Sequence, residues 1–330
     1  MNKIDFVILW VDGNDEKWLE EKNKYQTDKK LLSASASRYR DWDNLQYWFR
    51  GVEKFAPWVN NIYFITYGHL PSWLNTENPK LKIINHKDYL KEENLPTFNS
   101  NAIELNMHEI EGLSENFVAF NDDMFIINSV KESDFFIDGV PRDEFAENPL
   151  ISFGKKSQTI HACLNNMDII NRNFNKREVY KKFTKYFNFK YGLRTFRTLF
   201  LLPWYAFCGI HNPHMPISYC KKTFYKVWEK EYEMLNNTCK NKFRKYNDVS
   251  HWTMRYWQLC DGNFIPRSYK FGKYFDVSKN NSNLVEHIKK QKTKTICIND
   301  TNDDIDFEQS KKDIIEAFET ILNEKSSFEK

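Results

Sequence analysis

Two aspartates stand side by side in FVAFNDDMFIIN (Phe117–Asn128), between one apolar, β-prone run and another. Asp122 and Asp123 therefore fall where a strand ends, at the edge of something buried. Carboxylates in that position are costly unless a cation or hydrogen bonds compensate them. The opening of the chain repeats the design, since IDFVILWV runs straight into Asp12, Gly13, Asn14 and Asp15. A late apolar run, Ile296–Asn299, leads in the same way into Asp300. Open α/β sheets bind ligands outside the carboxyl ends of their strands. Three acidic exits at one such edge would hold a metal–diphosphate. Asp and Gly are also ordinary turn formers, so either segment taken alone reads equally well as an Asp-rich turn.

Other groups could join them. Arg38, Arg40, Asp41 and Asp43 lie just before or within the first turn of a predicted helix. Arginine there offers a planar, permanently charged fork for phosphate oxygens; the alternative is a capping cluster in which the acids cap the helix and pair with the arginines. His211 and His214 are spaced by HNPH, and Pro213 makes that segment a rigid turn rather than a helix face. No third ligand falls at zinc spacing, so an acid–base or phosphate-binding histidine competes with a surface turn. Arg244, Lys245 and Asp248 read as phosphate contacts or as solvated charge. Lys176–Arg197 mixes eight basic residues with aromatic rings. It suits an anionic lipid surface or a polyanionic product, or a cationic solvated helix with buried rings.

The elements that must position these groups follow from periodicity. Ile4–Val11 and Asn61–Gly68 read as strands, as do Lys80–Asn85 and the run before Asp122. Asp15–Lys30 is charged and helix-prone. Leu45, Trp48, Phe49, Val52 and Phe55 recur at helical steps and predict an amphipathic helix ended by Pro57. Phe98–Leu113 is expected to be helical, with Ser100 or Asn101 near its start. Phe224–Tyr246 and Val249–Leu259 are expected to be helical too, and Ile314, Ile315, Phe318, Ile321 and Leu322 predict a docked C-terminal helix. Strand, helix, strand, strand is the grammar of an α/β sheet.

A chain of 330 residues with 41% hydrophobic content holds one large domain or a domain with a substantial insertion. Its formal net charge of +3 leaves any basic surface local. The six cysteines form no CxxC pair, which predicts reduced thiols in a cytosolic protein. The start of the chain has no basic-then-apolar leader pattern, and Leu199–Ile210, the longest apolar stretch, is too short to span a bilayer. The expectation is a cytoplasmic protein, or one lying at most on the inner membrane face.

Four ordered blocks resemble the Stealth family of sugar-phosphate transferases. The first is IDFVILWVDGND; the second runs from RYRDWDNLQYWFRGVEKFAPWVNNIYFITYGHLPSWLN through LPTFNSNAIELNMHEIEGLSENFVAFNDDMFI; the third is HNPHMPISYCKKTFYKVWE with NKFRKYNDVSHW; the fourth is KTICINDTND. The resemblance implies transfer of a hexosamine-1-phosphate from a UDP-sugar to a hydroxyl of a growing polysaccharide, with release of UMP. It implies catalytic roles for Asp12, Arg38, Arg40, Asp122, His211 and His214. Substrate contacts are expected at Trp10, Gly13, Asp41, Ser100, Asn101, Asn121, Arg244 and Asp248. Asp122, Asp123 and Asp300 are expected to bind Mg²⁺ or Mn²⁺. The implied partners are a UDP-sugar donor, a polysaccharide or oligosaccharide acceptor, and a peripheral contact with the membrane face or capsule export machinery; no nucleic acid is expected.

The expected fold is α/β, a GT-A-like (Rossmann-type) sheet sandwich with a mostly helical insertion. Residues 1–133 would bind the nucleotide sugar, 134–290 would form the basic, aromatic insertion, and 291–330 would return to pack on the first half, all as one catalytic unit. Two competing readings are a metal-dependent GT-A glycosyltransferase that releases UDP, and a non-catalytic carbohydrate-binding module.

Overall fold

The computed structural model describes residues 3–26, 41–152, 158–300 and 304–330. Its strands are β1 (Ile4–Leu9), β2 (Ile62–Thr66), β3 (Leu81–Asn85), β4 (Asn116–Phe120), β5 (Met124–Ile126), β6 (Phe136–Ile137), β7 (Val140–Asp143), β8 (Ile217–Cys220), β9 (Ile265–Pro266), β10 (Gly272–Asp276) and β11 (Thr295–Asn299). The helices that precede the middle region are α1 (Glu16–Tyr25), α2 (Leu45–Phe55) and α3 (Ser100–Leu105). Then come α4 (Glu132–Phe135), α5 (Gln158–Asn173), α6 (Lys176–Val179), α7 (Phe183–Tyr186) and α8 (Arg194–Leu201). The last four are α9 (Lys221–Cys239), α10 (Trp252–Cys260), α11 (Ser282–Lys289) and α12 (Phe307–Glu319).

The main sheet has the order β3-β2-β1-β4-β8. β1 pairs in parallel with β2 and β4, and β8 runs antiparallel to β4. Strand order reverses between β1 and β4, which makes their carboxyl ends the topological switch point of this α/β sheet. β5 leaves this sheet for a second one, β10-β11-β5, so the Asn121–Asp123 turn is the corner between two sheets. A third small sheet joins β6, β7 and β9.

Both faces of the main sheet are covered, which is why β1 reads as a near-continuous apolar run, interrupted by Asp5. Phe6 and Ile8 pack with α2, α12 and β11, while Val7 packs on the opposite side with α3, α5, α9 and α10. Gly51, inside α2, has a packing reason: a Cβ there would sit 2.6 Å from the Ile126 carbonyl oxygen. The helix can lie this close to β5 only without a side chain, at a propensity cost of about 1 kcal/mol.

The expected helix over Phe98–Leu113 is shorter. It ends at Leu105 because Asn106 turns back and donates Nδ2 to the Ala102 carbonyl at 2.7 Å; a single 3₁₀ turn, Met107–Glu109, follows. The helix expected over Phe224–Tyr246 begins earlier, at Lys221, and stops at Cys239.

Under the HNPH turn lies a buried bidentate pair, Arg255 to Asp143, with contacts of 2.7 and 3.0 Å. Arg255 also donates to the His211 carbonyl and to Asn212. Asp143→Ala leaves that guanidinium buried without its counter-charge. It should therefore lose about 3–5 kcal/mol of stability, read from the urea midpoint. A loss below about 1 kcal/mol would remove the pair from any structural role.

Candidate active site

The three acidic exits meet. β1, β4 and β11 all end at one cavity of about 200 Å³, whose lining includes Trp10, Asp12, Gly13, Asp41, Asp122, Asp123 and Asp300. The Ile298 amide donates to the Asp123 carbonyl at 2.8 Å, which ties the exit of β11 to that of β4. Trp10 stacks on Phe64 and forms the apolar wall. Asp12 accepts the Asn14 amide at 2.8 Å, and Asp300 accepts the Trp42 indole N–H at 3.2 Å.

Asp123 is the most constrained of these acids. Its Oδ2 lies 3.1 Å from His214 Nε2 and accepts the Cys297 thiol at 3.2 Å. Its Oδ1 is buried and has no hydrogen-bond partner among the described residues. Ligand atoms of Asp123, His214 and Cys297 all lie within 4.8 Å of one another. Burial and the neighbouring charge of Asp123 push the Cys297 thiol far up, so it stays a protonated donor rather than a thiolate ligand. The trio therefore orients Asp123, which lines the cavity, and leaves its Oδ1 without a hydrogen bond among the described residues. An orphaned carboxylate oxygen beside Asp122 and Asp300 fits a hard divalent cation, which takes oxygen ligands. Although Asp122 opens to solvent on one side, the protein packed around its carboxylate and the charge of Asp123 raise its pKa to about 7. A cation would reverse that shift.

His214 is held in an unusual backbone state, with φ at +51°. Non-glycine residues in this region cost on the order of 1–3 kcal/mol and cluster at functional sites. Here the left-handed turn after Pro213 accompanies the contact with Asp123. Burial pulls the pKa of His214 down, but the hydrogen bond and charge of Asp123, with Glu104 and Asp122 beyond, outweigh it and leave it raised.

Two further cavities touch His214. A small one of about 100 Å³ includes Asn101, Glu104, Asn121 and Arg244 in its lining. Ser100 accepts a hydrogen bond from Arg244. A larger groove of about 570 Å³ is lined by His211, Arg194, Arg267, Lys270, Lys273 and Lys292, with Tyr269 and Tyr274. His211 Nε2 is buried there and has no hydrogen-bond partner among the described residues. Burial, then the charges of Arg194, Arg255 and Arg197, hold its pKa down to about 3, so His211 is neutral at working pH.

Asp248 lines none of the three cavities, but it bonds Asn101 and the Lys245 amide, and both of those residues line the smallest one. It is fully buried and accepts from Asn99, Asn241 and the Lys245 amide, so its bonds close a loop. Arg38 and Arg40 lie outside the described residues.

Family models match in two places: Stealth protein CR1, conserved region 1, over residues 2–30, and Stealth protein CR2, conserved region 2, over residues 38–143. Full-length relatives carry the comparison across the rest. The capsular polysaccharide phosphotransferase WcwK of Streptococcus pneumoniae is 46% identical over 100% of this chain and 99% of its own. This chain belongs to the Stealth family. Other relatives are the exopolysaccharide phosphotransferase cps2G of Lactiplantibacillus plantarum, 42% identical over 99% of this chain and 96% of its own, and the receptor polysaccharide phosphotransferase WefC of Streptococcus gordonii, 38% identical over 100% and 99%. Among solved structures, the galactosyltransferase LgtC aligns over 96% of each chain at 10% identity with a TM-score of 0.40. That likeness is too slight to bear on the fold, which rests on the strand order.

Three residues at this candidate site escaped the sequence. His69 accepts the Asp12 amide on Nε2 at 2.8 Å and lies 3.7 Å from Asp15; burial lowers its pKa, against the pull of Asp15 and Asp12. Its signal was position, directly after the glycine that closes β2. Cys297 had none, being one apolar residue in a strand. Trp42, whose indole holds Asp300, sat unnoticed among the arginines and acids of its segment.

Proposed function

We propose that the chain moves a sugar-1-phosphate, with hexosamine-1-phosphate as the expected group, from a UDP-sugar to a hydroxyl of a growing capsular or cell-surface polysaccharide. The observation that carries this reading is the contact between Asp123 and His214 where the carboxylate edge meets the groove. Relatives named as polysaccharide phosphotransferases, matched over their full length, support the same reaction class.

In this reading the donor lies along the cavity of Asp12, Asp122 and Asp300, with its sugar near Asn101, Asn121 and Arg244. Mg²⁺ or Mn²⁺ held by Asp122, Asp123 and Asp300 would neutralise charge on the phosphates. The acceptor hydroxyl attacks the phosphorus next to the sugar, the phosphorus–oxygen bond to UMP breaks, and the anomeric carbon–oxygen bond stays intact. His214 faces Asp123 through Nε2, which leaves Nδ1 to take the acceptor proton. His211, kept neutral, can hydrogen-bond a hydroxyl or phosphate without competing for that proton. The groove carries five cationic side chains, and Arg267 Nη1 is buried there without a partner among the described residues. Such a wall suits the phosphodiesters of an acceptor chain.

Among the described residues no helix is long and apolar enough to cross a membrane. We place the enzyme in the cytoplasm, with peripheral contact at the membrane face or the export machinery.

The released nucleotide decides the reaction. Incubation with a panel of UDP-sugars and saccharide primers should yield UMP in step with primer consumption. UDP as the product would make this a glycosyltransferase instead, and glycan binding with no nucleotide released would make it a binding module.

A further inference from the structure

Surface helices ordinarily turn their apolar stripe toward the core. Helix α8 does the reverse. Its polar Thr198 is buried, with Oγ1 accepting the Glu147 amide at 3.0 Å, and Arg194 reaches inward to both oxygens of Glu144 at 2.7 Å. Phe196 and Phe200 point to solvent, flanked by Leu193 at 83% and Tyr205 at 87% exposure. Phe189 is 88% exposed and Trp204 more than half exposed. Of the large apolar side chains exposed among the described residues, nine fall between Phe183 and Tyr205.

The projection is firmly held rather than frayed. Buried Lys176 bonds Glu147 at 2.8 Å and donates to the Leu201 carbonyl, the last residue of α8. Apolar surface concentrated in this way marks a docking face.

Charge selects what docks. Residues 176–197 hold eight basic groups and one acid, Glu178, which is paired with Lys181. Arg177, Lys181 and Lys182 are exposed along the same segment. A two-fold contact between copies would set this cationic face against itself. Anionic lipid headgroups complement it, aromatic side chains with a polar tip such as Trp204 and Tyr205 suit a bilayer interface, and a fluid bilayer needs no matching shape around side chains that stand so far out.

We propose that α8 and its flanking segments form a monotopic docking face for an anionic lipid bilayer. The proposal deepens the peripheral contact stated above and rests on it. Arg194 belongs both to α8 and to the groove that reaches His214, so docking brings the groove to the membrane surface.

The test is co-sedimentation of the full chain with vesicles of phosphatidylglycerol and phosphatidylcholine, against vesicles of phosphatidylcholine alone. The native protein should pellet with the anionic vesicles, and added salt should weaken its binding. F196S/F200S/Y205S should keep its melting temperature and bind about ten-fold or more weakly. R177E/K181E should lose the preference for anionic lipid. The proposal is overturned if the native protein ignores anionic vesicles or if the triple variant binds as well as the native one. It is also overturned if, without lipid, the native chain is a dimer that the triple variant breaks, since the face is then a contact between copies. The readout needs no nucleotide sugar, so a chain inactive in transfer still tests it.

Discussion

His214→Asn should lower kcat by about a hundred- to ten-thousand-fold, the usual cost of removing a positioned acid–base group, with little change in melting temperature. Asparagine suits this test for two reasons. It tolerates the left-handed backbone that His214 occupies at φ +51°, and it keeps a neutral polar group on the cavity wall, although its amide falls short of the position from which Nε2 meets Asp123. What it cannot do is accept a proton at neutral pH. KM for the donor should move less than kcat, because His214 lines the groove and the small cavity beside the donor's sugar but not the carboxylate edge where its phosphates lie. His211→Ala is the contrast: a neutral histidine on the groove wall should affect KM for the acceptor more than kcat. Steady-state rates with donor and acceptor varied separately check both. If His214→Asn turns over at near-native rate, the proton goes elsewhere, and Asp12 becomes the candidate.

Asp123→Asn should cost about a thousand-fold or more in kcat, since it removes charge from the site that neutralises the phosphates. The fold should survive, because the amide has the same shape and the native Oδ1 has no hydrogen bond to lose among the described residues. Mg²⁺ or Mn²⁺ should raise the melting temperature of the native protein through binding to the folded state. The same ions should leave that of Asp123→Asn unchanged. Chelation by EDTA should abolish native turnover reversibly. Full activity in excess EDTA, or an equal metal-induced shift in the variant, would refute the cation site and leave Asp123 as the orienter of His214.

Much of this was legible because apolar strands and their acidic exits are local patterns. The runs ending at Asp12, Asp122 and Asp300 said that carboxylates would gather at a sheet edge, and the spacing of Leu45, Trp48, Phe49 and Val52 gave α2 its buried face. Contacts between distant segments were not legible. Nothing near Asp123 announces a histidine 91 residues later or the thiol of Cys297 on the last strand. Asp248 has the composition of a ligand contact yet spends its oxygens on loop amides and side-chain amides. The basic segment misled in a subtler way. Its stripe of apolar residues is visible, but periodicity cannot tell which side of a helix meets the core, and α8 turns the unexpected side outward. Several of its cations serve structure: Lys185, for example, donates to the Gly262 and Phe264 carbonyls.

The corner between the two sheets also bears on biosynthesis of the protein itself. Asp123 comes from an early turn, His214 from the segment that leads into β8, and Cys297 from β11. A nascent chain lacks the last of these until residue 297 has been made, so the hydrogen bonds that orient Asp123 are complete only after its late partner arrives. The geometry of Asp123 is thus assembled from three segments far apart in the chain, and a destabilised variant should lose turnover in proportion to its unfolded fraction.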